Sequence, residues 1–178
     1  NCKLIINKTN TEFTTSDNPV ILYNKYYVNE KLNLSTYSCA GFVMFFPVSP
    51  RHYLTYYDPI MYKFGGRNFH KPIYQITEED VNELNILQLI TANKTAYTLN
   101  MNEAYLKNLL SRAEKHRFAE KSVLKESEIL RDKNGEKIKI LKMARPCIKY
   151  GINLSFLKIN KTVPEHYINQ RYRDPRVV

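Results

Sequence analysis

Short apolar runs alternate with polar turns over the first 76 residues, a pattern that predicts strands rather than helices. The runs "KLIIN" (3–7) and "EFTTS" (12–16), joined by "KTNT", predict a hairpin. Further strands are predicted at 20–24, 41–49, 53–58 and 72–76. The apolar stretch "FVMFF" suits the centre of a sheet, and Pro47 and Pro50 should end its strand because proline has no N–H to donate.

Helical spacing of the apolar residues begins after Thr77. Thr77 as N-cap, with Asp80 three places on, is a weaker form of the capping box and predicts a helix from about 78 to 97. The acids that open this helix are explained by capping and solvation, with Glu83 expected on the exposed side. A second helix is predicted from Asn102 to about Phe118, with four residues on its inner face: Leu106, Leu109, Leu110 and Ala113.

A basic hairpin is the clearest local feature of the second half. Asn134-Gly135 between alternating segments predicts a type I′ turn within residues 129–141. Lys137, Lys139 and, more loosely, Lys142 are expected on its solvent side. Residues 152–160 add a further strand candidate. The sum is an α+β fold with an antiparallel sheet, a helical pair and a C-terminal basic hairpin. We expect a domain over residues 1–145, and a basic strand and tail over 146–178.

Charge is distributed unevenly between the two halves of the 178-residue chain. Residues 1–100 carry 9 Lys/Arg and 8 Asp/Glu, whereas residues 101–178 carry 18 and 9, so the second half holds a net +9 of the total +10. This asymmetry favours an anionic partner such as nucleic acid. Cations interleaved with tyrosines suit single-stranded nucleic acid. The binding candidates are Lys137, Lys139, Lys142, Arg145, Lys149, Tyr150, Arg171, Tyr172 and Arg173.

Signatures of bound cofactors and of membrane insertion are absent from the sequence. The five glycines form neither GxGxxG nor GxxxxGK[ST], and the four histidines lack metal-ligand spacing, so we expect neither a cofactor nor a metal. Three cysteines without CxxC indicate a reducing compartment, and no run of 18 apolar residues occurs. We therefore expect a cytoplasmic protein without a membrane partner. The start at Asn1 suggests the C-terminal portion of a longer protein.

Five polar residues, "TTSDN" at 14–18, stand together before Pro19, more than a turn needs. The succession "FTTSDNPV" (13–20), "MFFPVSPRHYL" (44–54) and "VNELNILQLITANKTAY" (81–97) resembles the C-terminal part of the DUF4238 family, a largely bacterial group of unknown function. The resemblance covers residues 3–97. Val48 stands where the family has Leu. The family also has an N-terminal helical region that this chain lacks, so the resemblance makes that missing region a partner of the chain.

The resemblance implies that two strand ends and a helix adjoin, bringing together Ser16, Asp17, Ser49, Arg51 and Asn85. Asp17 would then pair with Arg51 and accept from Ser49 or from helix N–H groups. The cluster is interpreted first as a buried polar network that joins sheet to helix. The alternative is a ligand or catalytic pocket completed by the N-terminal region.

Three functions follow as hypotheses. The first is binding of nucleic acid or another polyanion through the basic half. The second is a hydrolase or nuclease module with Asp17 in its site. The third is a scaffold whose basic face contacts an acidic protein. The sequence contains no motif that identifies a reaction or a ligand.

Overall fold

The computed structural model describes residues 1–29, 35–66, 71–100, 103–117, 123–131, 137–144, 148–165 and 167, and between 123 and 144 it describes the backbone alone. The strands are β1 (Cys2–Ile6), β2 (Thr15–Ser16), β3 (Ile21–Tyr23), β4 (Val43–Ser49), β5 (His52–Tyr57), β6 (Tyr62–Phe64), β7 (Ala96–Tyr97), β8 (Val123–Arg131), β9 (Lys137–Ala144) and β10 (Leu157–Ile159). The helices are α1 (Glu78–Thr91) and α2 (Glu103–Glu114). This arrangement confirms the predicted α+β class.

The main sheet is antiparallel and has the strand order β1-β5-β4-β3. Its central strands include β4, as the apolar run predicted, with Val43 and Phe45 on the buried face. The prediction that Pro47 ends this strand is wrong. Pro47 lies inside β4, at the point where the register to β5 shifts between Pro47 and Ser49. A bulge tolerates proline because the ladder is already interrupted there.

The predicted hairpin between residues 3–7 and 12–16 is also wrong. β1 pairs with β5, with Leu4 opposite Leu54. The chain between them turns away because the Asn7 side chain bonds to Thr11 O at 2.7 Å and the Phe13 N–H donates to Pro50 O at 3.0 Å. Only Thr15 and Ser16 of the second segment form a strand, and it pairs with β7.

Of two other predicted strands, one is absent and one is shorter than expected. Residues 72–76 form no strand; Ile73 makes a single parallel bridge to Ile5. Of residues 152–160, only Leu157–Ile159 is extended, and it pairs with β6. The basic hairpin is present as the pair β8–β9, whereas its Asn134-Gly135 turn lies outside the described residues.

The first helix has the predicted capping box, in which Thr77 and Asp80 bond reciprocally. It ends at Thr91 and not near residue 97, because the chain beyond it turns and pairs as β7 with β2. The second helix buries Leu109 and Ala113, as predicted, but Leu110 is 38% exposed and does not belong to its inner face. Its predicted N-cap, Asn102, lies outside the described residues.

The core lies between one face of the main sheet and α1. Side chains such as Ile5, Phe45 and Tyr53 pack there with Leu84 of the helix. The segment 148–157, which we call the C-terminal arm, adds five buried residues to this cluster: Ile148, Ile152, Leu154, Phe156 and Leu157. Because α1 also contacts α2, ten of its fourteen residues are buried. Among the described residues, no helix is both long and apolar enough to cross a membrane.

Candidate functional site

The polar segment 12–18 lies along the C-terminal half of α1. Asp17 is exposed, and its two carboxylate oxygens accept from the backbone N–H groups of Asn93 and Lys94 at 2.9 and 2.8 Å. Desolvation alone raises the pKa of this carboxyl, but the backbone N–H donors outweigh it, so the pKa lies below its ordinary value of 3.8. Asp17 therefore holds the turn that follows the helix.

Ser16 is buried and faces a glutamine of α1. The Gln88 side chain donates to Ser16 Oγ at 2.5 Å and to Asn18 O at 2.8 Å, and Ser16 Oγ also accepts from the Asn18 N–H. Gln88 itself is fully buried. These bonds fix the "TTSDN" turn to the helix, and the burial of Ser16, which is 5% exposed, keeps its hydroxyl away from a substrate.

Asn85 is the second buried amide of this group and has 0% exposure. Its Oδ1 accepts from the Thr14 N–H at 2.8 Å, and its Nδ2 donates to Glu12 O at 2.8 Å. A single side chain thus replaces the partners that a neighbouring strand would give to residues 12–14. This geometry supports the interpretation of Asn85 as part of a buried polar network.

Ser49 and Arg51 lie at the turn between β4 and β5. Ser49 Oγ is 2.8 Å from His52 Nδ1, and it accepts from the Arg51 N–H at 3.2 Å. The Arg51 guanidinium forms an ion pair with Glu12 at 3.6 Å and donates to Thr9 O. The expected pair of Arg51 with Asp17 is wrong, because Asp17 is bound instead at the end of α1.

An apolar groove of about 290 Å³ runs between the strand end 47–50 and residues 97–99. Phe13 and Thr15 also line it. The sequence motif around Ser49 therefore borders an open groove, whereas Asp17 and Asn85 do not line it. The five predicted residues thus divide into an α1 group (Ser16, Asp17 and Asn85) and a strand-end group (Ser49 and Arg51), linked through Glu12.

The acids of α1 form a second polar cluster, which the sequence did not reveal. The prediction that Glu83 lies on the exposed side of α1 is wrong, because Glu83 is only 6% exposed. It accepts from Arg112 Nη2 at 3.1 Å, Tyr150 Oη at 2.7 Å and the Asn153 N–H at 3.2 Å. The spacing of Glu83 after Glu79 suits a solvated face equally well. Only the packing of the C-terminal arm on this face of the helix makes Glu83 internal.

Asp80 binds the same arm one turn earlier. Besides closing the capping box, it accepts from the Ser155 N–H at 2.6 Å and from Ser155 Oγ at 2.7 Å. Tyr23 adds a further link, because its hydroxyl donates to Tyr150 O at 2.9 Å and accepts from the Ile152 N–H. Burial is the main cause that raises the pKa of Tyr23 to about 12.

Most of the predicted nucleic-acid contacts lie outside the described side chains. Arg145, Arg171, Tyr172 and Arg173 are outside the described residues, and Lys137, Lys139 and Lys142 are described by backbone alone. Lys149 is exposed. Tyr150 is half-buried, and burial followed by its bond to Glu83 raises its pKa. The Tyr150 hydroxyl therefore binds Glu83 of the same chain.

One cationic pair emerges that the sequence did not indicate. β6 and β10 place Lys63 directly opposite Lys158, and both side chains are exposed. Lys161 follows two residues after β10 and is also exposed. Within the part of the chain that the structure describes, no group of three or more His, Cys, Asp or Glu residues is arranged to hold a metal ion.

Comparison with known proteins identifies a family over the first part of the chain. A family model described as a protein of unknown function (DUF4238) matches residues 1–101, which is more than half of the chain. No curated protein and no solved structure matches the chain. The matched range includes segment 12–18, the strand end at Ser49 and the whole of α1. α2, the β8–β9 hairpin and the C-terminal arm lie beyond it.

Proposed function

Because the chain belongs to the DUF4238 family, for which no function is established, we propose a function from its surface: the chain binds nucleic acid through the cationic surface of its C-terminal half. The observation that carries this proposal is the pair Lys63 and Lys158, which face each other across two antiparallel strands. Lys158 belongs to residues 101–178, which carry a net charge of +9, and β10 brings it opposite Lys63 of the first half.

Like charges at directly opposite positions of an antiparallel pair are destabilising. Each of the two strands is only three residues long, so it has few other side-chain pairs to compensate. A phosphate group between the two ammonium groups replaces repulsion by attraction. A binding surface for a polyanion explains why two lysines occupy this position.

The burial of acidic side chains supports the same proposal. Asp58, Asp80 and Glu83 are 1–6% exposed and bond to groups inside the protein. These carboxylates lie away from the surface, whereas Lys63, Lys158 and Lys161 are exposed. Among the described side chains, three acids but one lysine, Lys3, are buried, so the described surface is more positive than a count of charges alone indicates.

Binding should be measured as fluorescence anisotropy of labelled single-stranded RNA and DNA at about 50 and about 200 mM salt, because phosphate contacts weaken steeply with salt. We expect Lys63→Gln with Lys158→Gln to weaken binding and to reduce the salt slope by about two. The control is Lys8→Gln with Lys94→Gln, which removes the same charge from exposed positions outside β6 and β10. Heparin as competitor distinguishes a general polyanion site.

Absence of binding at low salt overturns the proposal, as does an equal loss in both double variants. Thermal unfolding of the Lys63/Lys158 variant should show an unchanged or slightly higher midpoint, since a repulsive pair is removed. A large drop in that midpoint would mean that folding, not binding, was tested.

A hydrolase or nuclease site at Asp17 receives less support. Both of its oxygens accept from backbone N–H groups, and the neighbouring Ser16 is bound by Gln88. A general base or metal ligand needs a carboxylate oxygen directed at the reacting group. The geometry therefore favours anchorage of segment 12–18 over catalysis.

A further inference from the structure

The main sheet is apolar on both of its faces. Its inner face packs on α1, and its outer face presents two rows of apolar side chains. One row joins Leu4, Leu54 and Phe46 across three strands, and the next joins Tyr56, Met44 and Leu22. All six side chains are at least partly exposed, with Tyr56 at 37%.

This outer face departs from the usual pattern of an antiparallel sheet with one packed face. Such a sheet normally alternates apolar residues inward with polar residues outward. Here, none of the six outward residues carries a charge or an amide. Burying them against a partner removes apolar surface from water at about 25 cal/mol per Å². The sequence pattern is that of a sheet covered on both sides.

The dimensions of the face suit a single helix. Four strands at about 4.8 Å spacing are about 14 Å wide, and the five residues of β1 extend about 14 Å along the strand. A standard interface between two protein molecules buries about 800 Å² per partner, much more than this area offers. An α-helix is about 10 Å wide, and about ten residues span 15 Å. The opposite face of the same sheet already packs against a helix, α1.

Charge argues against a second copy of this chain and for an acidic partner. Two copies would bring net charges of +10 together. At one end of the face, β1 finishes beside the β4–β5 turn, where the Asn7 N–H donates to Arg51 O. Lys8 and His52 are exposed at this end, while Arg51 is paired with Glu12. The polar flank of a docked helix would meet the Lys8 ammonium group and the exposed imidazole of His52 beside it.

We propose that the outer face, made of these two rows, docks one amphipathic α-helix of a partner protein, apolar side towards the sheet and acidic side towards Lys8 and His52. This site is separate from the cationic pair Lys63 and Lys158. The docked helix completes a third layer, with the sheet between it and α1.

The probe is a synthetic peptide of about 14 residues. Leu residues at i, i+3, i+4 and i+7 form one face of its helix, and Glu residues form the other. Its scrambled isomer has the same charge and composition but no apolar face. Binding to the full chain is followed by fluorescence anisotropy, and helix formation by circular dichroism. We expect the amphipathic peptide to bind and become helical, and the isomer not to bind.

The docking variant is Leu54→Gln with Met44→Gln, and the control is Ile60→Gln with Leu110→Gln, two exposed apolar residues elsewhere on the surface. We expect at least about a tenfold loss of affinity in the docking variant, from the apolar area it removes, and none in the control. Nucleic-acid binding should be equal in both. All four positions are partly exposed, so each variant should fold, which thermal unfolding checks.

Equal binding of the two peptides, or equal affinity of the two variants, overturns the proposal. Light scattering that finds a wild-type dimer, which the docking variant fails to form, also overturns it, because the face then binds a second copy. If the wild-type chain binds the amphipathic peptide but no nucleic acid, the proposed function is contradicted and this inference stands.

Discussion

Two segments far apart in the chain are held by the same helix in chemically different ways. Segment 12–18 is bound to the C-terminal half of α1 by two neutral amides, Asn85 and Gln88. The C-terminal arm is bound to the N-terminal half by two carboxylates, Asp80 and Glu83. The helix therefore carries buried polar side chains along its length, each directed at a segment without a complete strand partner.

The difference follows from what each segment offers. Segment 12–18 presents both N–H and C=O groups to the helix; the Asn85 amide accepts from one and donates to the other, and the Gln88 amide donates. The arm presents N–H and hydroxyl donors together with Arg112, and a carboxylate accepts from all of them. Carboxylates near the N-terminus of α1 also gain from the helix dipole, whereas near its C-terminus they would lose. Because side-chain amides do not titrate, the contacts of Asn85 and Gln88 should be insensitive to pH.

The largest effect should come from Asn85→Asp. The change keeps the size of the side chain but places a carboxylate oxygen against Glu12 O in a fully buried site. We expect a loss of about 3 kcal/mol in the free energy of unfolding, measured with urea, because a donor is lost and the carbonyl is left unpaired. Asn108→Asp, on the exposed side of α2, is the control and should change little. Similar losses in both variants would show that Asn85 is not an anchor.

Glu83→Gln is expected to cost about 2 kcal/mol, since the charge-assisted bonds to Arg112, Tyr150 and the Asn153 N–H weaken. Glu79 binds the same guanidinium at 3.2 Å but is 61% exposed, so Glu79→Gln is the matched control and should cost less than about 0.5 kcal/mol. Amide hydrogen exchange at Asn153 should accelerate only in the Glu83 variant. Unchanged exchange there would show that the carboxylate does not hold the arm.

The sequence predicted the elements better than it predicted their partners. The capping box at Thr77 and the central position of β4 depend on local chemistry and on an uninterrupted apolar run, and both are observed. The partner of β1 could not be predicted. Residues 12–16 suit a hairpin strand by pattern, but Asn85, more than 70 positions later, provides the bonds that keep them apart from β1.

The candidate site shows the same limit. Asp17, Ser16 and Asn85 were grouped from the motifs, and the structure places all three where segment 12–18 meets α1. The role of Glu83 could not be inferred, because a carboxylate one turn after Glu79 has the spacing of a solvated face. Only the packing of the C-terminal arm makes that face internal, and the arm lies about 70 residues further along the chain.

Tyr150→Phe tests one bond of the arm by itself. The hydroxyl donates to Glu83 at 2.7 Å, so its removal should cost about 1 kcal/mol. Tyr74→Phe is the control, since Tyr74 is 48% exposed and its ring, not its hydroxyl, contacts Lys8. In the Glu83→Gln background, the Tyr150 substitution should cost less than it does alone. Additive costs would mean that the two residues stabilise the fold independently.

The smallest effect, and one that depends on pH, should come from Asp17→Asn, because Asp17 holds the turn after α1 by its carboxylate and not by an amide. The pKa of Asp17 is lower in the folded chain than its ordinary 3.8, so its contribution is complete above that value and is lost as the pH falls through the folded pKa. The thermal midpoint of the variant should lie slightly below that of the wild type at pH 7, and the two should converge below pH 3.8. Glu103→Gln, at an exposed acid of α2 that pairs with Lys107, is the control and should leave the thermal midpoint at pH 7 close to that of the wild type. A constant gap between Asp17→Asn and wild type across the acid range would mean that the carboxylate charge does not hold the turn after α1.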